Sequence, residues 1–230
     1  MSTVILDRIS FDIDITLLLK NLHIKEGSDP AARVERLVES AKAIARPKAV
    51  YKVAYVETKD DNSVIIDGTK FTSRVLRVNL EDAYRVFPYV ITSGTEIEEW
   101  SQSITDIFDK YCADAIKEMI MRSARHYVFA EIDEKYGLVH AAVMNPGSLA
   151  DWPIKEQKNL FALLGDTKES IGVQLTDSFL MLPMKSISGI RFSSDKEFIN
   201  CQLCPRENCE KRRAPFDPHL YETWKLESER

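Results

Sequence analysis

Residues 171–193 read Ile171-Gly172-Val173-Gln174-Leu175-Thr176-Asp177-Ser178-Phe179-Leu180-Met181-Leu182-Pro183-Met184-Lys185-Ser186-Ile187-Ser188-Gly189-Ile190-Arg191-Phe192-Ser193. Short apolar runs are separated here by Thr-Asp-Ser, by a proline and by Ser-Gly. Runs of this length bounded by turn residues predict two or three short strands rather than a helix. Upstream, Lys155–Leu164 predicts a short amphipathic helix and Leu138–Val143 a strand. Further back, Ile97, Trp100, Ile104, Ile107, Phe108 and Tyr111 run at helical spacing, and the pattern continues to about Ile132. Thr95 and Glu98 have the form of a capping box. The pattern is too long for one ordinary helix, so a break is expected near Asp109–Ala113.

The first hundred residues extend the same mixture. Val86–Thr92 is a strand candidate, and Pro88 predicts an edge or a strand end. Residues 48–57 and 62–67, separated by Asp60-Asp61-Asn62, predict a hairpin. Ser28-Asp29-Pro30 starts a helix carrying Val34, Leu37, Val38, Ala41, Ile44 and Ala45, which Pro47 stops. Ile15–Leu22 reads as a short helix and residues 3–14 as a half-buried strand. Helices and strands mix without β-α-β alternation, so the expected class is α+β with a partly antiparallel sheet. After Phe198 the composition changes. The expected organisation is a domain over residues 1–198 and a cysteine-containing tail over 199–230.

The chain has 230 residues, a net charge of -5 and 44% hydrophobic residues. Its eight glycines are too scattered for a G-x-G-x-x-G or Walker loop. The acidic balance argues against general nucleic-acid binding. No apolar run approaches the roughly 18 residues of a membrane helix, and the N-terminal stretch does not read as an export signal. A cytoplasmic protein is expected. His23, His126, His140 and His219 are dispersed, so no hydrolytic nucleophile–base pair can be argued.

Cys201, Cys204 and Cys209 fall within nine residues, while Cys112 stands alone at a helical apolar position. A C-x-x-C pair lets two thiolates converge on one centre, and a third cysteine five residues on can close around it. Reduced thiols in this pattern point to a metal or redox site. An iron–sulfur cluster and zinc are the candidates, and Pro205 after Cys204 fits a cluster run. Candidate fourth ligands are Cys112, His219, Asp217 or an exogenous group. Cys112 otherwise reads as a core residue. Lys211-Arg212-Arg213 reads either as a charge that steers an acidic redox partner or as a solvated face.

The string Gly172, Leu175-Thr176-Asp177-Ser178-Phe179, Met181, Pro183, Ser186, Ser188-Gly189 and Phe192 resembles the activation (reactivation) domain of cobalamin-dependent methionine synthase. Asn145-Pro146-Gly147-Ser148, Trp152-Pro153 and Leu160–Leu164 match its Pro-Gly turn and following helix. Motif support covers roughly residues 85–198. The resemblance implies a C-shaped α+β domain with a central twisted antiparallel sheet flanked by helices. It also implies docking on a corrinoid, binding of S-adenosylmethionine and support of reductive reactivation or methylation of cobalamin. The cobalamin is carried by a partner, either a corrinoid-binding protein or a methionine synthase core, and the electron comes from a donor protein.

Carried over residue by residue, Glu118 matches the glutamate that holds the methionine amino group. Pro146, Gly147 and Ser148 shape the turn bordering the pocket, and Ser186, Ser188 and Gly189 match a segment near the corrinoid face. Phe198 falls near an aromatic that lines the nucleoside. Two positions depart from the pattern: Val143 stands where the family has the arginine for the methionine carboxylate, and Ser148 where it has a tyrosine. The expected protein is a stand-alone member of this family with an iron–sulfur cluster at the tail as electron relay. The alternative is a non-catalytic module that binds a corrinoid protein and uses the cysteines for structural zinc.

Overall fold

The computed structural model describes residues 3–194, 200–208, 212 and 214–222. In chain order the elements are β1 (Val4–Leu6), α1 (Ile15–Asn21), α2 (Asp29–Ile44), β2 (Lys48–Tyr51), β3 (Ala54–Lys59), β4 (Ser63–Ile66), β5 (Thr69–Thr72), α3 (Arg74–Asn79), β6 (Arg85–Thr92), α4 (Thr95–Ser103), α5 (Ile107–Tyr136), β7 (Ala141–Met144), α6 (Gln157–Leu164), α7 (Thr167–Ile171), β8 (Gln174–Leu175), β9 (Met181–Leu182) and β10 (Ser186–Ser193). The class is α+β. An antiparallel eight-stranded sheet is flanked by helices, and β8 and β9 form a separate two-stranded ribbon.

β6 is the hub. One of its edges pairs with β10, and β7 pairs with the far side of β10. The other edge pairs with β2 through Tyr89–Thr92 and with β3 through Arg85–Val86. Pro88 is therefore central rather than at an edge. The chain tolerates it because the neighbouring strand is interrupted at Lys52-Val53, opposite the missing donor. Lys52 N–H there donates to the Pro88 carbonyl at 3.0 Å. The expected 48–57 strand is split by this interruption. The hairpin itself is β3–β4 around Asp60-Asp61-Asn62.

Alternation along β6 feeds two cores. Val86 and Val90 face one layer with Ile190, Phe192, Trp152 and Leu160. Phe87, Tyr89 and Ile91 face α5, where Ala124, Val128 and Ile132 pack on them. Both faces are covered, which explains the unbroken apolar run of this strand. A third core joins α1, α2, α4 and the first half of α5. Cys112 is fully buried there, away from the layer against which Cys204 packs. Burial raises its thiol pKa. Cys112 is thus packed as a core residue, in a different cluster from Cys204.

Three local readings need correction. The half-buried strand expected over residues 3–14 shrinks to β1. Thr95 does not cap α4: Gly94 occupies that position at φ 105°, with no side-chain cap. A Cβ at Gly94 would collide with the Arg46 carbonyl. The break in the long helical pattern falls at Ile104–Asp106, just before the expected place. Asp106 starts α5 there by accepting from Asp109 N–H at 3.0 Å and pairing with Arg33 at 2.8 Å. These contacts hold its carboxyl below the usual range, the backbone amide of Asp109 contributing most and the Arg33 guanidinium next. A carboxyl depressed by folding stabilises above its unfolded pKa, and that stabilisation is lost as pH falls through the folded pKa. Asp106→Ala should therefore speed amide exchange over residues 107–110 at neutral pH. Asp106→Asn, which still accepts the amide, should change it less.

Among the described residues, no helix is long and apolar enough to cross a membrane.

Candidate functional site

β10 organises the candidate residues. Its N-terminal end meets the middle of α5, and its centre meets the 145–148 turn that follows β7. At the centre, Asn145 Nδ2 donates to the Ser188 carbonyl at 2.7 Å and to Tyr89 Oη at 2.8 Å. Gly189 lies against this amide, and no side chain fits there: an added Cβ would stand 2.5 Å from Asn145 Nδ2 and 2.5 Å from the Met144 carbonyl. The turn is closed by Ser148 N–H donating to the Asn145 carbonyl at 3.1 Å and by Gly147 N–H donating to the Trp152 carbonyl at 2.7 Å. Pro146 is buried, while Gly147 and Ser148 face solvent. Pro146, Gly147, Ser148, Ser188 and Gly189 are thus brought together.

The two serines already have partners. Ser186 Oγ donates to the Pro183 carbonyl at 2.7 Å, and Ser188 Oγ bonds Gln157 Oε1 at 3.4 Å. Their hydroxyls fix the entry to β10 and its contact with α6.

Glu118 projects from α5 one turn after Asp114. Lys185, the residue before β10, reaches both, 2.8 Å from Asp114 Oδ2 and 3.5 Å from Glu118 Oε2. Arg122 Nε lies 3.1 Å from Glu118 Oε1. Glu118 is connected to the rest of the site through Lys185 and the start of β10. Desolvation opposes the charge on Lys185, but the two carboxylates outweigh it and hold the ammonium above the usual lysine range.

Val143 pairs in register with Arg191. Arg191 donates bidentately to Asp133, one bond measuring 2.8 Å, and its guanidinium lies 4.4 Å from the centre of the Phe129 ring. Sequence reading did not single out Asp114, Lys185, Asn145 or the Arg191–Asp133 pair as site residues. The Asp114–Glu118 spacing was a visible signal. Their shared cation lies about seventy residues downstream, with no local mark.

The cysteine motif packs on the core that holds Val86, Val90, Ile190 and Phe192. Residues 200–203 form a single turn that buries Leu203, while Cys201 and Cys204 are half-buried. Arg212 gathers this loop: its guanidinium donates to the carbonyls of Cys201 at 3.1 Å and Cys204 at 3.4 Å, and also to that of Arg206. Arg212 is therefore a loop anchor rather than a solvated or steering charge. Asp217 Oδ1 accepts from Leu220 N–H at 2.9 Å, capping residues 218–222. Among the described residues, no three metal-binding side chains gather. Cys209, Lys211, Arg213 and Phe198 lie outside the described residues.

A solved structure shares the fold. The reactivation domain of MetH, solved bound to AdoHcy, is 14% identical, with a TM-score of 0.60 over 86% of this chain and 81% of that one. No curated protein matches the sequence. The family model described as the vitamin B12-dependent methionine synthase activation domain matches residues 79–213, a segment that holds β6, α5, β7, β10 and the three clustered cysteines, but not Asp217 or His219. The chain therefore belongs to the family of vitamin B12-dependent methionine synthase activation domains.

Proposed function

We propose that this chain acts on a corrinoid-carrying partner of a cobalamin-dependent methionine synthase system and supports its reductive reactivation. The match over residues 79–213 carries this reading. The chemistry required is the return of oxidised cob(II)alamin to cob(I)alamin by one electron. Cys201, Cys204 and Cys209 are the residues proposed to hold an iron–sulfur cluster whose chemistry there would be one-electron relay from a low-potential donor protein. The Arg212 anchor supports this: its guanidinium draws the carbonyls of Cys201 and Cys204 together.

AdoHcy, bound in the solved reactivation domain, gives the ligand class to examine beside Glu118, residues 145–148 and residues 186–189. The amino-acid end of that class does not fit here, because Lys185 already pairs with Asp114 and Glu118, and Arg191 with Asp133.

Two measurements test the proposal. Anaerobic purification followed by iron and sulfide analysis and EPR should show a reducible cluster, and Cys204→Ser should lose it. A colourless protein with stoichiometric zinc would overturn the relay. In size-exclusion chromatography the chain should co-elute with a corrinoid-loaded methionine synthase core, and separate elution would overturn the partner.

A further inference from the structure

Two carboxylates one helical turn apart, both facing the start of a strand, form a receptor for a single cation. In this chain that receptor is occupied from within. Lys185 Nζ stands 2.8 Å from Asp114 and 3.5 Å from Glu118, and Arg122 closes the remaining side of Glu118. The lysine is aimed by a fixed backbone. Ser93 N–H donates to the Lys185 carbonyl at 3.0 Å, and the next residue, Ser186, ties back to Pro183 at 2.7 Å. Lys185 and Glu118 are each about one-fifth exposed, while Asp114 is 57% exposed, so it is the Glu118 side of the contact that is shielded from water.

The complementary charge is closed as well. A ligand carboxylate near β7 would meet Val143, which offers no donor from its side chain. The cation directly across the ladder, Arg191, is held bidentately by Asp133 and covered by Phe129. An amino-acid zwitterion placed here would have to displace Lys185 from two carboxylates. It would also have to bury its own carboxylate without a partner, which is costly.

We infer that Lys185 is an internal counter-ion that takes the place of a ligand ammonium, so that this chain does not read the amino-acid end of an S-adenosyl ligand. The inference rests on the proposed position of that ligand class beside α5 and β10. Lys185 is then a specificity-determining residue that acts against the amino-acid end of this ligand class.

Calorimetric titration of the full chain with AdoHcy and with 5′-methylthioadenosine, which lacks the amino-acid end, tests this. The wild type should not favour AdoHcy over methylthioadenosine. Lys185→Met removes the cation that Asp114 and Glu118 share, leaving Arg122 on Glu118, and should raise the affinity for AdoHcy by about tenfold, the scale of one charge-assisted hydrogen bond. Methylthioadenosine should be unaffected. If Lys185→Met does not fold, Lys185→Gln, which removes the charge and keeps a polar stem, gives the same readout. A wild type that prefers AdoHcy by about tenfold or more would overturn the inference, as would a charge-removing variant with no gain for AdoHcy. Failure of the proposed function is read separately, because co-elution with a corrinoid-loaded partner requires no S-adenosyl ligand.

Discussion

Asp133→Ala is expected to destabilise the protein by roughly 3 kcal/mol, the scale for removing one partner of a buried ion pair. For a chain of this length that corresponds to a fall in Tm on the order of 10 °C. The cause is what remains behind. Arg191 lies in the middle of β10 with Phe87 on one side of the ladder and Val143 on the other. Its side chain is 10% exposed. With the carboxylate gone, the guanidinium keeps its position over Phe129 but has no counter-charge and little water to replace one. Asp133→Ala/Arg191→Met removes both charges and fills the space with an apolar stem. It should recover most of the loss, because a buried pair contributes little beyond its apolar equivalent. Urea unfolding of the three proteins distinguishes the cases. A single variant no less stable than the double variant would show that the pair is well solvated.

The Arg191–Asp133 pair also shows where sequence reading stopped. The residues that define the class were legible because their signals are local: the short apolar run of β6, the Ser28-Asp29-Pro30 start of α2 and the turn residues around β10. The neighbours of β6 were not. Pro88 marks an edge strand by its missing donor, but here the interruption at Lys52-Val53 lies across from it, a fact about another part of the chain. The same holds in the site. The Pro146-Gly147 turn and the Ser186–Gly189 run could be picked out as motifs. The charges between them could not, because Lys185 meets Asp114, and Arg191 meets Asp133, only after β10 has crossed the sheet to α5. Charge pairing across about sixty to seventy residues leaves no periodic trace. Arg212 repeats the lesson: the basic run Lys211-Arg212-Arg213 reads as a solvated or steering charge, but the Arg212 guanidinium turns inward to the carbonyls of the cysteine loop.

Gly189→Ala should be destabilising although alanine is the better strand residue. Gly189 is not in the left-handed region, so relief of backbone entropy alone would favour alanine by about 0.5–1 kcal/mol. Contacts reverse the sign. The new methyl would stand 2.5 Å from Asn145 Nδ2, 2.5 Å from the Met144 carbonyl and 2.7 Å from Tyr89 Oη. The Asn145 amide can rotate away, but only by giving up its bonds to the Ser188 carbonyl and Tyr89. The Met144 carbonyl is backbone and moves only if β7 moves against β10. Overpacking of this kind costs roughly 1–3 kcal/mol. Urea unfolding should show that loss, and amide exchange should quicken at Gly147 and Ser148, whose turn hangs from Asn145. Adding Asn145→Ala to Gly189→Ala removes the clash with Asn145 but not those with the Met144 carbonyl and Tyr89 Oη, so it should recover stability only in part. A Gly189→Ala protein as stable as the wild type would mean that β7 shifts freely. The close approach at Gly189 would then not be what holds the 145–148 turn against β10, the contact on which the geometry of the whole candidate site depends.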